Sequence, residues 1–193
     1  MRRGVLAALL GAPLAALAVP AVVHSTGSSR GLYDAQAVAA ARSAFERATA
    51  ISQQVAVPTR SPGSPQSAAM LEALRRDGER KLATAYDGPA LEQERRALET
   101  AIGAEHDPSF RVLGGGVRRV TYNQIVVVTH AQVTIAATVW TWWRTAQVRP
   151  PGGAAVVSAP ESAIDARATV GQGPDGAWKV VSFTWKAHPD ERP

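Results

Sequence analysis

The chain has 193 residues, no cysteine, and a formal net charge of +5 from twenty-one basic and sixteen acidic side chains. The missing cysteines exclude disulfide staples, thiolate-held zinc, thiol catalysis and a lipid-modified N-terminal cysteine. No basic run exceeds two residues, as at Arg75-Arg76, Arg95-Arg96 and Arg118-Arg119, which argues against nucleic acid and reads as a solvated surface or one positive patch.

Residues 4–23 carry no charge and follow Met1, Arg2 and Arg3. Twenty apolar residues at helical rise span roughly 30 Å, one bilayer core. The two arginines keep the start inside and send the remainder outward. The run reads either as a retained single-pass anchor in the cell membrane or as a signal segment cleaved near Ala16, Leu17 and Ala18, which would leave a secreted protein. Val19, Val22 and Val23 would leave an apolar start after cleavage, which favours the anchor. The boundaries are then 1–23 for the membrane or signal segment, 24–31 for a polar tether, 32–186 for one extracytoplasmic domain and 187–193 for a tail. A domain of that size can bury a core without staples.

From residue 32 to about 55, Val38, Ala41, Phe45, Ala48, Ser52 and Val55 step by three and four along one helix face. Three prolines within residues 58–65 make a loop. A second helix starts near Gln66, with Met70, Leu71, Leu74, Leu82 and Tyr86 inward and a candidate break at Asp77-Gly78. A third opens with Asp87 as cap and Pro89 in its first turn, carries Leu91, Leu98 and Ile102, and ends by Gly103. The period then changes to strand: 110–113 and 117–128 around Gly114, Gly115 and Gly116; a long strand over 130–143; a loop over 144–161; and a pair over 162–170 and 178–185 joined by a turn at Pro174-Asp175-Gly176. Three helices followed by about four antiparallel strands give an α+β architecture with the helices on one sheet face.

That order, closing on Gly176, Ala177, Trp178, Lys179, Val180, Val181, Ser182 and Phe183 after a glycine-rich turn, resembles the nuclear transport factor 2-like cone fold. It looks in particular like the actinobacterial membrane-anchored members associated with mammalian-cell-entry lipid transport. The resemblance covers roughly residues 32–186 and implies helices packed on a curved sheet. The superfamily also holds conjugation and type IV secretion components and enzymes such as ketosteroid isomerase, so the resemblance implies no single function.

Cone-fold enzymes work between the concave sheet face and the helices, which makes side-chain parity a test of chemistry. Ala131, Val133, Ile135, Ala137, Val139, Thr141 and Trp143 share one face of the long strand; Ile164, Ala166, Ala168 and Val170 join them, then Val181, Phe183 and Trp185. With Phe45 from the first helix, Val133, Ile135, Val139, Trp143, Phe183 and Trp185 would line any cavity. These stripes hold no carboxylate, histidine or tyrosine to move a proton, which argues against catalysis. The opposite face would carry His130, Trp140, Trp142, Arg167 and Trp178, tryptophans among threonines and charges, and reads as a contact surface or as a face covered by the loop or the tail.

Other patterns are bland. The three glycines lack a following Lys-Ser/Thr and read as a kink or bulge. Glu105, His106 and Asp107 read as a solvated helix end, so no metal or other cofactor is expected. The expectation is a non-catalytic accessory or scaffold protein of a cell-envelope complex, possible roles including lipid transport, with docking to an envelope protein or a second copy. The alternatives are a binder of a small hydrophobic ligand, a secretion or conjugation component, and a cone-fold lyase or isomerase.

Overall fold

A computed structural model describes residues 28–55, 57, 66–107, 109–148 and 155–188. The anchor or signal segment, residues 24–27 of the tether, the proline loop 58–65 and residues 189–193 of the tail lie outside the described residues. Helix α1 spans Ser28–Ser52, α2 Ala68–Ala85 and α3 Gly88–Ala104. Residues 28–31, expected as tether, are therefore helical. No helix among the described residues is long and apolar enough to cross a membrane.

The strands are β1 (Phe110–Thr129), β2 (Gln132–Val148), β3 (Ala155–Ser158), β4 (Glu161–Gln172) and β5 (Trp178–Ala187). They form one sheet in the order β1-β2-β4-β5, with β3 added to β2, and each of these pairings is antiparallel. The sheet thus has five strands where about four were expected. The extra one, β3, comes from the stretch read as a loop and pairs with the last four residues of an extended β2.

Local chemistry explains most boundaries. The Ser67 hydroxyl accepts the Met70 N–H at the start of α2, and the Asp87 carboxylate accepts the Gly88 N–H at the start of α3. The Asp77-Gly78 pair does not interrupt α2. Gly78 is buried, and a Cβ there would lie 2.8 Å from a Leu98 methyl, so the glycine lets α3 approach. The β4–β5 turn closes through the Gly173 N–H to the Ala177 carbonyl, with Gly176 at φ +78°.

The core lies between α1 and the concave sheet face. Ala41, Ala44 and Ala48 bring α1 close to the strands, and Phe45 fills the space between them. Val133, Ile135, Ala137 and Val139 of β2 meet Ala166, Ala168 and Val170 of β4 in the same cluster. All but Ala166 are at most 1% exposed. The β2 and β4 stripes therefore face inward as their alternation requires.

Candidate functional site

The best-developed polar and aromatic assembly lies on the sheet face turned away from the helices. Opposed residues of antiparallel strands share a face, so register assigns its members. Trp140 stands between Arg119 of β1 and Ala163 of β4, and Trp142 between Gly116 and Glu161. Arg167 lies opposite Ala136 on the same face.

Bulges decide who joins them. The β1–β2 register shifts between Val117 and Arg119, making Arg118 an extra residue. A bulge re-aims side chains, and both arginines of this pair reach the tryptophans: the Arg119 guanidinium lies 3.9 Å from the Trp140 ring centroid and that of Arg118 5.7 Å from that of Trp142. Trp142 crosses two of the three glycines. A Cβ on Gly116 would sit 2.7 Å from its indole nitrogen, and one on Gly114 3.4 Å from its ring edge. Those glycines form a floor for the indole, and register shifts flank the run, between Val112 and Gly114 and between Val117 and Arg119, where a kink or bulge was expected.

Behind the aromatics, a hydrogen-bonded chain crosses the sheet. Asn123 donates to Thr138 at 3.1 Å, Thr138 donates to Asp165 at 3.0 Å, and Asp165 meets the His188 ring at 2.8 Å. His188 also donates its backbone N–H to Ala163 and sets its ring 6.1 Å from Trp140. The His188 partner, chiefly, holds the Asp165 carboxyl below its usual value. His188, the first residue after β5, thus covers part of this face.

Two expected members are elsewhere. His130 is exposed in the two-residue turn joining β1 to β2, because β2 starts at Gln132 rather than 130. Trp178 packs against the core, because the β4–β5 register shifts at Val181: Thr169 faces Ser182 while Val170 faces Val180. Val180, at 1% exposure, replaces Val181 on the inner stripe, and Trp178 follows it. The outer face therefore holds Trp140, Trp142 and Arg167, joined by Arg118, Arg119 and His188, which parity alone did not identify.

The residues expected around a cavity occupy the helix side. Phe45, Val133, Ile135, Val139 and Phe183 belong to the core cluster, Trp185 packs against it, and Trp143 is half-buried over Gly115. Besides the buried Tyr86, a tyrosine of the sheet reaches this side: Tyr122 of β1 packs near Phe45, donates to Glu46 at 2.6 Å, and lies under the Arg42 guanidinium. Burial and then Glu46 push its phenol up to about 12, far from a group that exchanges protons at neutral pH.

Two buried acids were also unforeseen. Glu94 accepts a hydrogen bond from Ser52, and burial pushes its carboxyl up. Glu105, expected in solvent, is 1% exposed and lies 3.5 Å from a fully buried Arg111. Among the described residues no three His, Asp or Glu come together as metal ligands.

No protein-family profile matches the chain, and no curated protein matches it. Its backbone is similar to that of a periplasmic fragment of TraM, at 8% identity, over 78% of this chain and 98% of that one, with a TM-score of 0.49. It is also similar to an IcmL-like type IV secretion system protein from Legionella pneumophila, at 5% identity over 88% and 98% of the two chains, TM-score 0.44. An Ntf2-like protein involved in plasmid conjugation matches at 9% identity over 78% of this chain, TM-score 0.41, and this chain spans 49% of its length. Scores below 0.5 carry no argument about activity or partner. The architecture rests on the strand order and packing above.

Proposed function

We propose that this chain is a non-catalytic accessory or scaffold domain of a cell-envelope complex, held outside the membrane by its uncharged N-terminal run and docking through the outer sheet face. The observation that carries this reading is the contrast between the two faces. The helix side is filled by core side chains at or near zero exposure. The other side sets two half-buried tryptophans beneath arginines, an arrangement suited to contact with another protein. The tyrosines on the helix side are engaged within the fold, Tyr122 with Glu46 and Tyr86 with the Ala48 carbonyl, which supports a non-catalytic reading. Lipid transport and secretion are the envelope processes such a scaffold would serve.

Cross-linking on native membranes tests this, followed by mass spectrometry of captured chains and of the N-terminus. Links from the tryptophan face to membrane-complex subunits, lost on Trp142→Arg while the domain stays folded, are the expected result. A chain trimmed near Ala18 and free of links would overturn it.

A further inference from the structure

Resting on that docking reading, we propose that the occupant of the outer face is an acidic, carboxylate-rich segment of a partner polypeptide, gripped by Arg118 and Arg119 over the tryptophans. The argument starts from charge. Arg118, Arg119, Arg144 and Arg167 lie on this face together with Lys186 near its edge, against only Glu161 and Asp165. The acids are already engaged: Glu161 with Arg118 at 3.2 Å, and Asp165 with Thr138, His188 and, at 4.0 Å, Lys186. Arg119, Arg144 and Arg167 have no acidic partner among the described residues.

Arg119 is also held in place before any ligand arrives. Its guanidinium lies 3.9 Å from the Trp140 ring centroid and the residue is exposed, so its N–H donors are open to a carboxylate, which a guanidinium can meet with paired hydrogen bonds. The bulge at Arg118 sets a second guanidinium beside it on the same face. Arg118 meets Glu161 only in an exposed pair, which leaves its guanidinium available to a competing carboxylate.

Spacing favours a chain over a single small anion. Arg144 and Arg167 stand about four residues to either side of Trp140 along the strands, roughly 13 Å each at strand rise. Curvature favours a polypeptide over a bilayer. Helix α1 touches β1, β2, β4 and β5, so the sheet wraps around it and the outer face is convex. A planar lipid surface would meet one row of these cations and miss the others, whereas an extended peptide follows the curve. Half-buried Trp142, resting on the glycine floor beneath Arg118, offers the apolar contact between charges.

The test uses the full chain in micelles with neutral headgroups and poly-L-glutamate as probe, read by fluorescence anisotropy at low and moderate salt. Arg119→Gln should weaken binding about tenfold. Arg76→Gln, which removes the same charge from α2, should change it less than twofold. Trp142→Ala should weaken binding at both salt concentrations, because its contribution is contact rather than charge. Equal losses from Arg119→Gln and Arg76→Gln would reduce the effect to net charge and overturn the proposal. Tighter binding of phosphatidylglycerol vesicles or heparin than of poly-L-glutamate would overturn it in favour of another polyanion. Failure of the docking reading is separable: native cross-links that persist in Arg119→Gln leave docking intact and remove the acidic partner. Absent cross-links with poly-L-glutamate binding retained remove docking alone.

Discussion

The Ser52 hydroxyl donates a 2.7 Å hydrogen bond to the Glu94 carboxylate, joining the last residue of α1 to a position in α3 that is 7% exposed. No ion pair to Glu94 exists among the described residues, so burial, opposed by this one bond, pushes its pKa up. The folded chain therefore holds this proton more tightly than the unfolded chain. The contribution to stability is complete below the unfolded value of roughly 4.3 and is lost as pH rises through the folded pKa. Glu94→Gln keeps an acceptor for Ser52 and cannot ionise. Its denaturation midpoint in urea should match the parent at pH 4 and exceed it at pH 7.5; an equal offset at both pH values would contradict this.

Arg111 ties the end of α3 to the start of β1. Its guanidinium donates to the carbonyls of Glu105, Asp107 and Phe110 at 3.1, 2.7 and 2.7 Å, while the Glu105 carboxylate also accepts the Val112 N–H. Removing one member of a buried pair strands the other charge. Arg111→Ala should therefore cost about 3–5 kcal/mol, measured by urea denaturation. Arg111→Met combined with Glu105→Gln should recover most of that loss, since neither residue then carries a buried charge. A double variant as unstable as the single one would show that the carbonyl contacts, rather than the charges, dominate.

The contrast between these sites and the β2 stripe shows what periodicity carries. Val133, Ile135, Ala137 and Val139 point inward as alternation requires, because β2 keeps an unbroken register against β4. Trp178 does not, since one bulged residue, Val181, inverts the face of what precedes it and has no side-chain signature of its own. The same device on β1 brings Arg118 and Arg119 together, visible in the chain only as an arginine pair. Glu105 reads as solvated because its partner is six residues away in another element. An arginine between Phe110 and Val112 was the available sign that a charge would be buried there.

Gly115 and Gly116 are adjacent yet should respond differently to alanine. A Cβ on Gly115 would sit 2.4 Å from the Gln53 carbonyl oxygen, which is backbone and tied to the end of α1. Gly115→Ala should cost about 1–3 kcal/mol in urea denaturation. A Cβ on Gly116 meets the Trp142 indole instead, and a side chain can swing away. Gly116→Ala should leave the fold closer to its parent stability but lift Trp142 off its floor, raising acrylamide quenching of tryptophan fluorescence. Unchanged quenching would mean that the indole does not rest on β1.

The Asp165–His188 pair joins the tail to the same face, and its pH behaviour has the opposite sign to that of Glu94. Hydrogen bonding to His188, then to Thr138, lowers the Asp165 pKa, so its contribution is present above the unfolded value of about 3.9 and is lost as pH falls through the folded one. The Asp165 side chain is 27% exposed, and solvent screening limits the effect. His188→Ala should lower stability at pH 6 by about 0.5–1 kcal/mol, with the gap closing in strong acid. The Asp165 carboxyl signal in a carbon-13 NMR titration should move toward its ordinary midpoint. Trp140, losing the ring set against it, should become more accessible to quencher while Arg119 remains over its ring. A titration midpoint unmoved by the substitution would assign the depressed value to Thr138 instead, and would leave the tail as a cover for Trp140 with no electrostatic hold on the sheet.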